Sequence, residues 1–276
     1  MAEPDLGAPA DLVRRYDPDL FSTALFAAEP GRSRLMALYA ADVELSRAVH
    51  AARTPQTGPL IAAMRLQWWR DVADAATKGR PPPEHETAGP FSKLIADGGL
   101  TAEGLAPLLE AYEAEIAERL PPEAYPDWAE GRFGTLIRLA SRILAPDHPL
   151  PDTVAKGTGL ACATAFAFRT ATAMARDGRS VLPALAHGSL GDLQIDAHLA
   201  QDLADQARTA RAALSDARRA GRDLPRSLLP ALLPARLAEP VLRKVERNPQ
   251  ALMDDLSQGP AGRAATLLRA SIFGRW

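Results

Sequence analysis

Asp42 with Glu44 and Asp71 with Asp74 are two pairs of closely spaced carboxylates that are candidates for binding a cation. Asp42 and Glu44 are two residues apart and point to different sides of a helix, whereas Asp71 and Asp74 are three apart and share a helix face. Carboxylates on one face can bind a hard, oxygen-seeking cation such as Mg²⁺. The stronger interpretation of Asp71 and Asp74 is an ordinary exposed pair, or a bond from Asp71 to Arg70 or Arg65 of the same helix.

The positions of the histidine, cysteine and tryptophan residues limit which metal sites and which cross-links the chain can form. The five histidines, at positions 50, 85, 148, 187 and 198, show no metal-ligand spacing, and the single cysteine, Cys162, excludes a disulfide framework and a cysteine-rich zinc site. Cys162 lies in an apolar stretch, which is typical of a small core residue. Trp68 and Trp69 are adjacent, so on a helix one is expected in the core while the other covers a groove or an interface. These patterns predict no metal site.

The charge is distributed unevenly along the chain. Residues 208–276 contain 13 Lys and Arg residues against six Asp and Glu residues, a balance of +7, which leaves −9 for the rest of a chain whose net charge is −2. A basic segment can attract anionic lipid or an acidic partner, although an arginine-rich solvated helix face is the simpler explanation. The basic residues are not interleaved with aromatic residues that could stack on bases, so nucleic acid is not an expected partner.

The elements that must position these residues are predicted to be helices. The chain of 276 residues is 47% hydrophobic and 5% aromatic, has few β-branched residues, and shows helical spacing of apolar residues along most of its length. One helix is predicted to begin after Asp17, and another is predicted to follow an N-cap at Thr101. Further helices are predicted over about residues 31–53, 60–78, 124–144, 152–176 and 192–220. Shorter helices are expected between the prolines that follow residue 220. We expect one domain, 1–276, an all-α bundle of about nine to eleven helices around a central cavity, with residues 1–16 as a loose N-terminal arm.

Neither a membrane span nor a secretory signal is visible in the sequence. The longest uncharged stretches are about a dozen residues, whereas a spanning helix needs roughly 20 apolar residues. The N-terminus is acidic and lacks a basic segment followed by an apolar one. The expected location is the cytoplasm, with peripheral attachment to the inner face of a membrane as an alternative, or the mitochondrial matrix if the protein is eukaryotic.

Several short strings, in order along the chain, resemble the squalene/phytoene synthase family of head-to-head prenyl synthases. They are Phe21-Ser22, Ala37 to Ala40, Arg65 to Asp71, Gly178 to Pro183, His187-Gly188, Leu229 to Pro234, and Gly274 to Trp276. The family has an all-α isoprenoid-synthase fold, which agrees with the helices expected from the periodicity. The string Arg65 to Asp71 is typical of a divergent branch that includes the mitochondrial respiratory complex I assembly factor with a phytoene synthase-like domain.

The resemblance also implies a metal requirement that this sequence does not meet. The family ionises prenyl diphosphates with Mg²⁺ held by two Asp-x-x-x-Asp motifs on facing helices. The corresponding positions here are Ser46 and His50 in the first motif, and Thr170 and Met174 in the second. None of the four supplies a carboxylate, although Arg169, just before the second motif, fits the family pattern. Asp19 stands near the start of the first long helix, where the family has a basic residue, and is expected to repel diphosphate.

Three hypotheses about function follow. The leading one is a family member that has lost diphosphate-ionising activity and acts in binding or assembly, as in complex I assembly, with a protein partner or a prenyl or lipid chain, and with an anionic membrane surface reached through residues 208–276. The alternatives are an active prenyl transferase with non-standard metal ligands and a ligand-free helical scaffold. No cofactor is expected unless the protein is active, in which case it is Mg²⁺. The candidate cavity residues are Tyr39, Asp42, Gln67, Asp71 and Arg169.

Overall fold

Helices form the whole framework of the protein. The computed structural model describes residues 7–50, 57–186, 193–274 and 276, and this part of the chain contains no β-strand. The α-helices are α1 (Gly7–Tyr16), α2 (Pro18–Ala24), α3 (Gly31–His50), α4 (Gly58–Thr77), α5 (Ala88–Ala96), α6 (Ala102–Ala114), α7 (Tyr125–Ala129), α8 (Thr135–Leu144), α9 (Asp152–Arg176), α10 (Ala197–Ala220), α11 (Leu229–Leu232), α12 (Pro234–Arg247) and α13 (Pro260–Phe273). A π-helical segment, Glu130–Gly134, joins α7 to α8. The all-α prediction is confirmed.

The long helix α9 organises one half of the core. Its residues between Lys156 and Arg169 carry no charge and are nearly all buried, so the helix needs neighbours on every side. Helices α10 and α12 pack along it, and α7, α8 and the π-helical segment cover the rest of its surface. The other half of the core is formed mainly by α1, α3, α4, α5 and α6. The apolar faces of the two halves meet around a cavity.

Two glycines allow α9 to approach its neighbours closely. A Cβ atom on Gly159 would lie 2.6 Å from the backbone nitrogen of Gly134, and one on Gly157 would collide with the backbone oxygen of Ala213 in α10. Because real Cβ atoms do not come this close to backbone, only glycine fits at either position. The contact at Gly159 holds the π-helical segment, which carries Arg132, directly against α9.

Most of the predicted helices are present with similar bounds. Helix α9 spans the predicted residues 152–176, and Thr101 caps α6, where its hydroxyl oxygen accepts a hydrogen bond from the Gly104 N–H at 3.1 Å. The predicted helix 124–144 is interrupted by the π-helical segment and divides into α7 and α8. Of the strings that carry the family resemblance, His187-Gly188 and position 275 lie outside the described residues.

The structure corrects the sequence prediction at two elements. Residues 7–16, which were predicted as part of a loose arm, form α1, because Ala10 and Val13 are buried and pack the helix against α3. Helix α5 was not predicted, since its nine residues follow a proline-rich loop and present too short an apolar pattern to recognise. None of the helices in the described ranges combines the length and the apolar character that crossing a bilayer requires.

Candidate functional site

A cavity of about 980 Å³ opens between α2, α3, α4, α9 and α12. Much of its apolar lining comes from aliphatic and phenylalanine side chains, among them Leu20, Phe133, Leu136, Ile137, Phe166 and Leu237. The volume is at the upper end of the roughly 300–1,000 Å³ typical of small-molecule sites. The cavity expected from the sequence is therefore present, and it is large enough for an elongated apolar molecule.

A buried polar network lies at one wall of the cavity. The Asp42 carboxylate accepts hydrogen bonds from the Arg132 guanidinium at 2.9 Å and from the Tyr112 hydroxyl at 2.7 Å. The same guanidinium donates through Nε to Glu115 at 3.2 Å and lies 3.9 Å above the Tyr112 ring. Trp128 completes the network by donating its indole N–H to Glu115 at 3.0 Å. Because Arg132 is committed to two carboxylates, it neutralises charge inside the protein and has little capacity left for a ligand.

Burial determines the protonation of this network. It raises the pKa of Tyr112 well above the usual value, and the Asp42 charge adds to the shift while Arg132 opposes it. The phenol therefore stays protonated and can donate to Asp42. Burial also raises the pKa of Glu115, against the opposing effects of the Arg132 charge and the Trp128 hydrogen bond. The stability of the network thus depends on the cation that its two carboxylates share.

Asp17 is the second carboxylate in the cavity lining. Its side chain caps α2, where it accepts a hydrogen bond from the Leu20 N–H at 2.8 Å. Burial raises the pKa of Asp17 to about 6; the Leu20 N–H opposes the shift, and the charges of Asp19 and Asp42 add to it. Tyr39 lies nearby, and its pKa is raised by burial and then by Asp17 and Asp42. Asp17 is therefore a structural cap in a site where the accumulation of negative charge is already costly.

Asp19 and Glu44 are the remaining carboxylates that line the cavity, and both are paired. Asp19 accepts hydrogen bonds from Arg169 at 2.8 Å and from Arg263 of α13 at 2.7 Å. Glu44 accepts one from Arg47 at 2.6 Å. Two guanidinium groups therefore compensate the charge of Asp19, and the repulsion of diphosphate by this residue stays a prediction.

The mouth of the cavity is formed by one face of α4 and the loop that precedes α5. Arg65 and Trp68, three residues apart on α4, both line the cavity, together with Trp69 and His85. Trp69 is buried and Trp68 only partly so, as the adjacent positions predicted. The His85 ring lies 5.4 Å from the Trp68 ring and 5.8 Å from the Trp69 ring. Trp69 therefore packs in the core, while Trp68 and His85 are accessible at the cavity mouth.

The cavity brings together some of the predicted site residues and leaves others outside. Those that line it are Tyr39, Asp42, Ser46, His50 and Arg169. Gln67 and Asp71 are exposed on the outer face of α4, where Gln67 donates a hydrogen bond to Asp71 at 2.9 Å. Their placement in the cavity was wrong, since positions 67 and 71 lie one helix turn apart on the face opposite the core. The expected arginine partner of Asp71 is replaced by this glutamine.

The second pair of family positions does not belong to the cavity lining in the described structure. Thr170 is half-buried and donates its hydroxyl hydrogen to the Phe166 carbonyl at 2.9 Å, one turn back in α9. Met174 packs against the core formed around α9. Cys162 is buried, as predicted, and also lines the cavity, and burial raises the pKa of its thiol to about 12. A thiol of this kind stays protonated at neutral pH and is a poor nucleophile.

Sequence reasoning missed the residues that hold Asp42. Arg132, Tyr112 and Glu115 come from positions 70 to 90 residues away from Asp42, and nothing in their local spacing connects them. One feature of the sequence could have indicated the network. Glu115 falls within a mostly apolar helical face, and a carboxylate that is buried there needs a partner that compensates its charge.

The donor set of the cavity does not fit a resident Mg²⁺ ion. Within the described ranges, no three side chains of His, Cys, Asp or Glu converge closely enough to hold a metal. The four lining carboxylates come from two neighbouring helices, α2 with its cap and α3, and each accepts hydrogen bonds from the protein itself. Mg²⁺ demands near-octahedral oxygen ligands, so it would have to displace these internal partners.

Comparison with known proteins defines the class of protein. A solved structure, described as a dehydrosqualene synthase in complex with ligand, superposes with a TM-score of 0.70 over 96% of this chain and 94% of the other, at 10% sequence identity. This similarity defines the fold as that of the isoprenoid synthases. No curated protein matches the sequence.

The sequence identifies the family within that class. The profile of the squalene/phytoene synthase family matches residues 13–268, which is most of the chain. The chain therefore belongs to the squalene/phytoene synthase family, whose members are of the prenyl transferase type.

Proposed function

We propose that this protein binds an elongated apolar molecule, a prenyl or lipid chain, and does not ionise prenyl diphosphates. One observation carries the proposal: every carboxylate in the cavity lining is committed to a partner within the protein. Asp42 is the decisive case, because its partner Arg132 is buried as deeply as Asp42 itself. Breaking a buried ion pair typically costs about 3–5 kcal/mol, which a metal ion would have to offset before it bound.

The shape and lining of the cavity support binding over a purely structural role. The space lies between the helices that carry Tyr39 and Arg169, and large apolar side chains cover much of its wall. A ligand-free scaffold would gain stability by filling such a volume, since the loss of packing contacts around a cavity is destabilising. An apolar ligand would restore those contacts.

The test compares turnover with binding in the same purified protein. With Mg²⁺ and farnesyl diphosphate we expect no diphosphate release above the buffer rate. With farnesol in the presence of a chelator we expect saturable quenching of tryptophan fluorescence, since Trp68 and Trp69 line the cavity. Replacing Ala238, which lines the cavity, with Phe is expected to weaken farnesol binding about tenfold by occupying the space, whereas Asp71→Asn on the outer face leaves it unchanged.

Two results would contradict the proposal. Steady Mg²⁺-dependent release of diphosphate, abolished by Asp42→Asn or Asp19→Asn in folded protein, would show an active prenyl transferase with unconventional ligands. Absence of farnesol binding, or binding that Ala238→Phe does not weaken, would remove the cavity as a ligand site. A circular-dichroism melting curve for each variant separates unfolding from loss of function.

A second candidate function is assembly at a membrane surface, as in the complex I assembly branch that the string Arg65 to Asp71 resembles. Helix α13 supports it, because Leu268, Ile272 and Phe273 are each more than half exposed along its outer side. Three large exposed apolar residues on one helix are unusual for a surface that faces only water. We propose that this face of α13 contacts an anionic bilayer.

Charge near α13 favours an anionic surface, although less strongly than the composition of residues 208–276 suggested. Burial, and then the positive charges of Arg218, Arg243 and Arg269, lowers the pKa of Arg236. Glu239 offsets the cluster directly, where it accepts hydrogen bonds from Arg218, Arg236 and Arg243. Other basic residues of the segment, among them Arg208, Arg211, Lys244 and Arg263, form ion pairs with carboxylates of the protein. The attraction therefore comes from a local excess of arginines.

Sedimentation with lipid vesicles tests the membrane proposal. We expect the protein to bind vesicles of phosphatidylcholine containing phosphatidylglycerol, and not vesicles of phosphatidylcholine alone. The double substitution Leu268→Ser with Ile272→Ser is expected to lower the bound fraction about tenfold or more, because it removes two apolar side chains from the contact. Met64→Ser, at an equally exposed apolar residue of α4, is the matched control. Equal loss in both variants, or binding that ignores lipid charge, would argue against α13 as the contact.

A further inference from the structure

Arg65 differs from the other arginines of the cavity in having no partner among the residues that the structure describes. Four arginines line the cavity: Arg47, Arg65, Arg132 and Arg169. Three of them form ion pairs, with Glu44, Asp42 and Asp19 respectively. Within the part of the chain that the structure describes, Arg65 forms neither an ion pair nor a side-chain hydrogen bond. Its guanidinium is thus free to bind an anion.

His85 places a hydrogen-bond donor at the same mouth. Its Nδ1 accepts hydrogen bonds from the backbone N–H groups of Thr87 at 3.1 Å and Ala88 at 3.4 Å, at the start of α5. A neutral imidazole that accepts through Nδ1 carries its proton on Nε2, so Nε2 is the donor. Ring contacts with Trp68 and Trp69 hold the imidazole in place. The tautomer is therefore determined by the backbone of α5.

His50 gives the cavity lining an imidazole at one position where the family resemblance places a carboxylate. His50 lines the cavity at a position that corresponds to an aspartate of the first motif, and Arg47 lies one turn before it. Carboxylates at a cavity mouth bind an anion only through a metal ion, whereas guanidinium and imidazole groups bind it directly. Apolar walls continue from this mouth toward the interior.

We propose that the cavity mouth is a metal-independent binding site for an anionic head group, with Arg65 as its main cation and His85 as an oriented donor. The ligand class is a single-chain amphiphile whose chain occupies the apolar cavity and whose phosphate or carboxylate head lies beside Arg65. This inference rests on the proposed function, since it requires a chain in the cavity. Beyond the binding of an apolar chain, it requires that the negative charge of the head group is recognised by the Arg65 guanidinium.

The experiment compares ligands that share a chain and differ in the head. Farnesol, farnesyl phosphate and farnesoate are titrated into the full-length protein in EDTA, below their micelle concentrations, with tryptophan fluorescence and calorimetry as readouts. We expect farnesyl phosphate to bind at least about tenfold more tightly than farnesol, the ratio typical of one charge-assisted hydrogen bond. A higher affinity for farnesyl phosphate than for farnesoate would assign the head as phosphate, and the reverse would assign it as carboxylate.

Matched variants identify the groups responsible. Arg65→Gln is expected to remove most of the preference for farnesyl phosphate and to leave farnesol affinity within about twofold. His85→Asn, which can still accept the backbone N–H groups but is too short to reach the head, is expected to lower the preference severalfold. Arg80→Gln, at an exposed arginine after α4 that does not line the cavity, serves as the control.

The outcomes separate this inference from the function on which it rests. If farnesol and farnesyl phosphate bind with equal affinity, or if Arg65→Gln lowers both affinities alike, the head-group site is wrong while the apolar cavity stands. If no ligand binds, the proposed function fails and the head-group site fails with it. A preference for farnesyl phosphate that appears only after Mg²⁺ is added would also overturn the inference.

Discussion

Replacing Arg132 with methionine is expected to destabilise the protein by about 3–5 kcal/mol. The substitution leaves Asp42 and Glu115 buried without their shared cation, and it removes the guanidinium that lies 3.9 Å above the Tyr112 ring. The loss is a large part of the roughly 5–15 kcal/mol by which a domain is stable. Urea denaturation followed by circular dichroism measures the free energy of unfolding.

Two controls distinguish the loss of the buried cation from the loss of an arginine in general. Arg138→Met, six residues further along, breaks ion pairs with Glu130 and Asp152 that are partly exposed, and is expected to cost less than about 1 kcal/mol. Adding Asp42→Asn and Glu115→Gln to Arg132→Met removes both unpaired charges and is expected to recover much of the stability. A triple variant as unstable as the single one would show that packing of the guanidinium, and not its charge, dominates.

The pH dependence of the Arg132→Met variant has a definite sign. Burial already raises the pKa of Glu115 in the folded protein, and removal of the adjacent cation raises it further. A carboxyl group whose folded pKa lies above its unfolded pKa contributes stability at low pH and loses it as the pH rises through the folded value. The difference in the free energy of unfolding between wild type and the Arg132→Met variant is therefore expected to be largest at neutral and alkaline pH. It is expected to shrink as the pH falls toward about 4.

Replacing Gly159 with alanine is expected to destabilise the protein by about 3 kcal/mol, the upper part of the range for an overpacked core. The new Cβ atom would lie 2.6 Å from the nitrogen and 2.7 Å from the Cα of Gly134. Both atoms belong to the backbone of the π-helical segment, so no side chain can rotate away to relieve the clash. The free energy of unfolding in urea measures the effect.

The same substitution at an open position provides the control. Gly262 lies in α13, and a Cβ atom there meets nothing within 4 Å. Gly262→Ala is expected to stabilise the protein by about 0.5–1 kcal/mol, because alanine loses less conformational freedom in a helix. A Gly159→Ala variant as stable as wild type would mean that α9 and the π-helical segment can separate at little cost.

Both predictions concern the positioning of one side chain. The contact between Gly159 and Gly134 holds the π-helical segment against α9, and that segment directs Arg132 toward Asp42. If the segment shifts, Asp42 loses its cation. Farnesol binding by a Gly159→Ala variant that still folds would then depend on the Asp42–Arg132 ion pair as well as on the packing of α9.

The helices could be predicted because their causes are local. Hydrogen bonds within a helix join residues four apart, and the apolar spacing that marks a buried face repeats over one or two turns. For this reason α9 and the cap at Thr101 were found with their correct bounds. The elements that were missed, α1 and α5, are short, and packing against α3 holds them in place more than their own pattern does.

The residues that line the cavity could be predicted only in part. Whether a helix face points toward the cavity or toward solvent depends on the elements packed against that helix. Asp42 and Asp71 were both predicted to line the cavity, and the spacing of Asp71 and Asp74 made Asp71 the better candidate for a shared cation site. In the structure Asp42 is buried among partners and Asp71 is exposed beside Gln67. Which helix face points inward at α4 is decided by Leu66 and Trp69, whose burial turns positions 67 and 71 outward.

The sequence by itself determined that this is a helical protein of the squalene/phytoene synthase family with no carboxylate at Ser46, His50, Thr170 or Met174, since residue identity and helical periodicity are properties of the chain alone. Only the tertiary structure decided what the remaining charges do. Arg132 reaches Asp42 across 90 residues, and Arg169 reaches Asp19 across 150. Such pairs form because buried charges must find opposite charges wherever packing brings the helices together, and sequence separation carries no information about that meeting.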